Sequence, residues 1–74
     1  MKEYHVIFHT SENAMRNGPS IITSMTIDYE PNETEVEKLM REISEEMEEC
    51  TYAEVYYDKY GNESFDELIY TYTI

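Results

Sequence analysis

What this chain has little of narrows its possibilities first. It has one cysteine, Cys50, so no internal disulfide forms and a reducing cytosol is the expectation. Two glycines and two prolines in 74 residues leave no phosphate-binding glycine loop and no low-complexity linker. Basic residues are scarce: five Lys and Arg stand against seventeen Asp and Glu, for a formal charge of −12. That balance opposes direct binding to nucleic acid or to an anionic membrane and favours a basic protein partner. No apolar run reaches transmembrane length. The opening MKEYHVIFHT alternates apolar and polar residues and lacks the apolar run of a signal peptide. A single soluble cytoplasmic domain spanning 1–74 is expected.

Catalytic motifs are missing too. Carboxylates are plentiful, but no acid/base partner singles one out, so the chain is expected not to be an enzyme. His5 and His9 lie four apart on an expected strand, about 13 Å from each other, too far to share one ion. They are expected to be ordinary surface or rim histidines. Asp28, Glu30, Glu33 and Glu35 are dense but lack the glycine and bidentate glutamate of an EF-hand loop, so only weak cation binding is expected. Cys50 extends an apolar stripe and reads as core, not nucleophile. No cofactor and no metal site is expected. Asn32-Glu33-Thr34 and Asn62-Glu63-Ser64 match the glycosylation sequon, which has no relevance without a secretory signal.

What is present centres on one amphipathic helix, 32–50, NETEVEKLMREISEEMEEC. Val36, Leu39, Met40, Ile43, Met47 and Cys50 share one face at helical spacing. Asn32 with Glu35, or Thr34 with Glu37, forms a capping box, and early glutamates suit the positive end of the helix dipole. The other end is different. Glu45, Glu46, Glu48 and Glu49 crowd the negative end, and Glu42–Glu46 and Glu45–Glu49 are like-charge pairs. A local cost accepted at one place is a sign of function there. The charge is also lopsided: residues 1–27 balance to zero, while 28–67 hold fifteen acids against Lys38, Arg41 and Lys59, the whole −12.

Around the helix, alternation predicts strands at 2–9, 21–29, 51–60 and 63–74. In the first, Tyr4, Val6 and Phe8 oppose Glu3, His5, Ile7 and His9; a loop over 10–20, with Asn17-Gly18-Pro19, leads to the second. A two-residue turn at Gly61-Asn62 would set Tyr60 opposite Glu63, and pair Val55 with Leu68, Ala53 with Tyr70 and Thr51 with Tyr72. Those residues form one apolar side for the helix to cover. The other side carries Tyr52, Glu54, Tyr56, Asp58, Tyr60, Glu63, Phe65, Glu67, Ile69 and Thr71, carboxylates interleaved with rings. Exposed tyrosines suit a binding surface, although tyrosine also simply favours strands. The expected fold is α+β: ββαββ, a four-stranded mostly antiparallel sheet with one helix packed on one face.

Over 33–49 the helix would display eight glutamates in about 25 Å, where a DNA strand presents about seven phosphates. In size, composition and lack of catalytic signatures the chain resembles the small acidic DNA-mimic inhibitors that phages encode against bacterial defence nucleases and other DNA-binding proteins. That class shares no single fold. The likeness implies an anti-CRISPR-like inhibitor in the host cytoplasm, occupying the basic DNA or RNA groove of a nuclease. Glu42, Glu45, Glu46 and Glu49 would pair with its lysines and arginines. Tyr52, Glu54, Tyr56, Asp58, Tyr60 and Glu67 form a second candidate partner surface. The alternative is a small cytoplasmic partner-binding or assembly domain, a homodimer included, whose acids only keep it soluble.

Overall fold

Two central strands carry the core. The computed structural model of the chain describes residues 3–10, 21–61 and 65–74. Its elements are β1 (Glu3–His9), β2 (Ile21–Ile27), α1 (Glu33–Glu46), β3 (Tyr52–Asp58) and β4 (Glu67–Thr73). They make one antiparallel sheet in the order β2-β1-β3-β4, so the expected ββαββ architecture holds. The sequence could not give the order. The chain leaves edge strand β2, runs through α1 and enters the sheet again at β3, on the far side of β1.

Alternation then decides the core. Val6 pairs with Val55 and Phe8 with Ala53, all fully buried, and α1 lays Val36, Met40 and Ile43 against them. Burying each of the larger side chains favours the fold by roughly 1.5–3 kcal/mol. Leu39, Met25, Ile27, Tyr70 and Tyr72 pack around this cluster half-buried.

The helix starts as its sequence requires. Asn32 accepts from the Glu35 amide at 2.9 Å while the Glu35 carboxylate takes the Asn32 amide at 3.3 Å, a complete capping box. The Tyr70 hydroxyl donates to the carbonyl of buried Pro31 and ties the helix entrance to β4. The helix ends four residues before the expected Cys50. Met47 caps it outside helical geometry, its amide bonded to the Ile43 carbonyl, and its side chain is 61% exposed instead of in the core. Four glutamates at the negative end of the dipole, with no basic residue in the last turn, weaken further turns. Cys50 is buried nonetheless, because the chain folds back and its amide donates to Ser44 Oγ at 2.9 Å.

The β3–β4 register differs from the expected one by two residues. Val55 faces Tyr70 and Ala53 faces Tyr72, and a bulge beside Tyr56 sets it opposite Leu68. A shift of two preserves the face, so Tyr70 and Tyr72 still lie under the helix. Leu68 does not: beyond the bulge it is 48% exposed. The turn explains the shift. Asp58 Oδ1 accepts the amides of Tyr60 and Gly61, at 3.3 and 2.9 Å, and Asp66 caps the Lys59 amide, so the connection is longer than two residues. Gly61 sits at φ 67°, where glycine costs least. Its expected partner residues 62–64, the second sequon and the loop at 11–20 lie outside the described residues.

Candidate interaction surface and the opposite face

Seven glutamates of the helix and of the turn after it fall into two groups with different duties. Glu35 and Glu37 hold the structure together. Glu35 completes the capping box and accepts the Tyr29 hydroxyl at 2.7 Å. Glu37 takes Arg41 through Nε and Nη2, at 3.0 and 2.8 Å, and its other oxygen accepts the Tyr72 hydroxyl. The hydrogen bond from Tyr72, then that from Arg41, holds the Glu37 carboxyl below its ordinary range, and the same contact pushes the Tyr72 phenol up.

Glu42, Glu45, Glu46, Glu48 and Glu49 form the second group. All five are exposed, and none makes a hydrogen bond or ion pair among the described residues. Arg41, the basic residue nearest to them in sequence, is committed to Glu37. Glu42, Glu45 and Glu46 stand on α1, whereas Glu48 and Glu49 lie in the turn after it. Glu45 and Glu49 also border a cleft of about 350 Å³ between the helix end and Ile74, whose side chain is half-exposed.

The sheet face away from α1 is not the exposed acidic surface the alternation suggests. Tyr52 and Glu54 are each 7% exposed and Asp58 is fully buried. His5 and His9 are buried as well, not surface or rim residues. His5 Nε2 lies 2.8 Å from Asp58 Oδ2, and His9 Nε2 lies 2.6 Å from Glu54 Oε1. The Tyr56 hydroxyl donates to the second Glu54 oxygen at 3.1 Å, and burial, then Glu54, pushes its pKa up. The Phe65 ring covers His5 and Tyr56, with centroids 5.0 and 5.3 Å away. The physical reason is compensation: buried carboxylates persist where a partner meets each of them.

One signal for these pairs was in the sequence. The two histidines are four apart and so are the two carboxylates, Glu54 and Asp58. Antiparallel pairing of β1 with β3 places both pairs on the same diagonal. Without the strand order that match has no meaning. Cys50, expected in the core, is 2% exposed, and burial raises its thiol pKa.

The ten candidate partner-binding residues therefore do not make one surface. Glu42, Glu45 and Glu46 are exposed on the C-terminal part of α1, and Glu49 is exposed in the turn after it. Tyr52, Glu54 and Asp58 are interior, Tyr56 is half-buried, and Tyr60 and Glu67 are exposed at the β3–β4 end. Among the described residues no helix is long and apolar enough to cross a membrane. No protein-family model matches this chain, and neither a curated protein nor a solved structure does.

Proposed function

We propose that this protein is an acidic binding inhibitor, a nucleic-acid mimic of the phage anti-defence, anti-CRISPR-like type. It occupies the basic DNA or RNA groove of a nuclease or other nucleic-acid-binding protein in the host cytoplasm, and performs no catalysis. The observation that carries this reading is the helix end: five exposed carboxylates, on the helix and in the turn after it, without partners among the described residues and placed where they weaken the helix. Stability does not account for them, since Glu35 and Glu37 already cap and brace α1. The 14-residue helix is about 21 Å long and its sequence holds six glutamates, close to the six or so phosphates of a DNA strand over that length.

A second reading has its own observation. Among the described residues β2 and β4 are the edge strands of the sheet, residues 68–74 carry no charged side chain, and Leu68 and Ile74 are about half exposed. An assembly domain pairing two copies along β4 would use that stretch, the acids serving only solubility. Changing Glu42, Glu45, Glu46 and Glu49 to glutamine separates the two. The inhibitor loses a partner captured from bacterial lysate at low salt, and the captured partner exchanges for DNA or RNA in the parent. The assembly domain keeps its self-association.

A further inference from the structure

We propose that Glu3, His5 and Asp58 form a site for one divalent transition-metal ion of the zinc class, on the sheet face away from α1. One ligating atom from each of the three lies within 4.8 Å of the others. The residues come from two strands that are far apart in sequence: Glu3 and Asp58 are direct cross-strand partners, and His5 shares its face with both. Spacing along β1 had excluded a histidine pair, and His9 indeed serves Glu54 instead.

The chemistry of the donor set favours an ion. Two carboxylates and one imidazole converge where Asp58 is fully buried, His5 nearly so and Glu3 half-buried. Carboxylates brought this close in a poorly hydrated place repel, and a divalent cation between them turns the repulsion into attraction. Glu3 makes no hydrogen bond or ion pair among the described residues.

The outer contacts aim the ligands inward. His5 Nδ1 lies 3.1 Å from Thr26 Oγ1; when an ion replaces the proton between Nε2 and Asp58, Thr26 accepts the N–H of Nδ1 and Nε2 is left to ligate. Asp58 spends Oδ1 on the Tyr60 and Gly61 amides, so Oδ2 is the oxygen that faces His5. At metal–ligand lengths of about 2.1 Å, ligand atoms in tetrahedral zinc stand about 3.4 Å apart. The 2.8 Å contact of His5 with Asp58 opens by well under 1 Å to reach that. His5, Ser24, Thr26 and Phe65 line a cleft of about 250 Å³, which brings solvent up to the imidazole. An imidazole with two carboxylates suits zinc, or cobalt as its spectroscopic substitute, better than the all-oxygen preference of calcium.

The test uses the full chain stripped with chelator, then titrated with ZnCl₂ by calorimetry and with CoCl₂ by visible absorption. The expected result is one ion per chain, a cobalt spectrum of low coordination number, and no displacement by excess calcium. On adding zinc, the ¹⁵N resonance of His5 Nε2 shifts and that of His9 does not. Glu3→Gln lies in a half-buried position with no hydrogen bond to lose among the described residues; with its circular dichroism unchanged, affinity falls at least tenfold. The variant with Glu42, Glu45, Glu46 and Glu49 changed to glutamine binds zinc like the parent. Absence of stoichiometric uptake overturns the proposal and leaves His5–Asp58 a plain hydrogen-bonded pair. Uptake that survives Glu3→Gln, or that disappears in the quadruple variant, also overturns it, the latter placing the ion on the acidic helix end.

Discussion

Replacing Glu46 by lysine isolates the energetic conflict at the end of α1. Glu46 is the last helical residue, exposed and unpaired among the described residues, and no basic residue occupies that turn. Removing a carboxylate from the negative end of the dipole and placing an ammonium there gains about 0.5–1 kcal/mol at surface exposure. Glu42 stands four residues earlier, so a repulsive pair becomes a Glu-to-Lys pair in the favoured orientation, worth a few tenths of a kcal/mol more. A total of about 1 kcal/mol corresponds to a rise of roughly 4–8 °C in Tm for a domain of this size. Thermal unfolding followed by circular dichroism measures it. Glu46→Gln should fall between parent and lysine variant, and molar salt should bring all three together. Glu33→Lys, the same change at the positive end, should lower Tm. If Glu46→Lys leaves Tm unchanged or lowers it at low salt, Glu46 is already compensated in the native state and the conflict does not exist.

Three further perturbations test the fold. Asn32→Ala removes the capping box and should cost about 0.5–2 kcal/mol in denaturant unfolding. Met40→Ala empties a fully buried position beneath the helix and should cost about 2–5 kcal/mol by the same measurement. The phenols of Tyr29, Tyr56, Tyr70 and Tyr72 are all raised above 10.0, by hydrogen bonds to Glu35 and Glu37 for Tyr29 and Tyr72 and by burial for Tyr56 and Tyr70. The folded state keeps these protons longer than the unfolded chain, so their stabilisation is complete below pH 10 and is lost as pH rises through the folded values. Alkaline unfolding should accompany the tyrosinate absorbance, and Tyr72→Phe should reduce this dependence.

Helix entry and the faces of the strands were legible because they depend on neighbours in sequence. Asn32 and Glu35 cap each other within one turn, and period-two alternation survives a register shift of two, which is why Tyr70 and Tyr72 reach the core in a hairpin paired differently from expectation. Leu68 was misplaced because the side chain of Asp58, not the Gly61-Asn62 dipeptide alone, shapes the turn. The helix end was misplaced because Met47 and Cys50 continue the apolar spacing past the point where the glutamates make another turn unfavourable. The buried His5–Asp58 and His9–Glu54 pairs depend on which strand lies beside β1, a non-local fact that periodicity does not contain. Of the candidate surface, the helix glutamates are where their hydrophilic face puts them, and the β3 carboxylates are inside.

The most direct test of the acidic helix end as a nucleic-acid mimic is binding to a captured basic partner across a salt series, for the parent and for the variant with Glu42, Glu45, Glu46 and Glu49 changed to glutamine. Glutamine keeps volume and helix propensity while removing the charge. Parent affinity should fall steeply with salt, competing DNA or RNA should displace the protein, and the variant should bind far more weakly while remaining folded. A variant that binds as tightly as the parent, or a complex in which protein and nucleic acid are held together, would contradict the account.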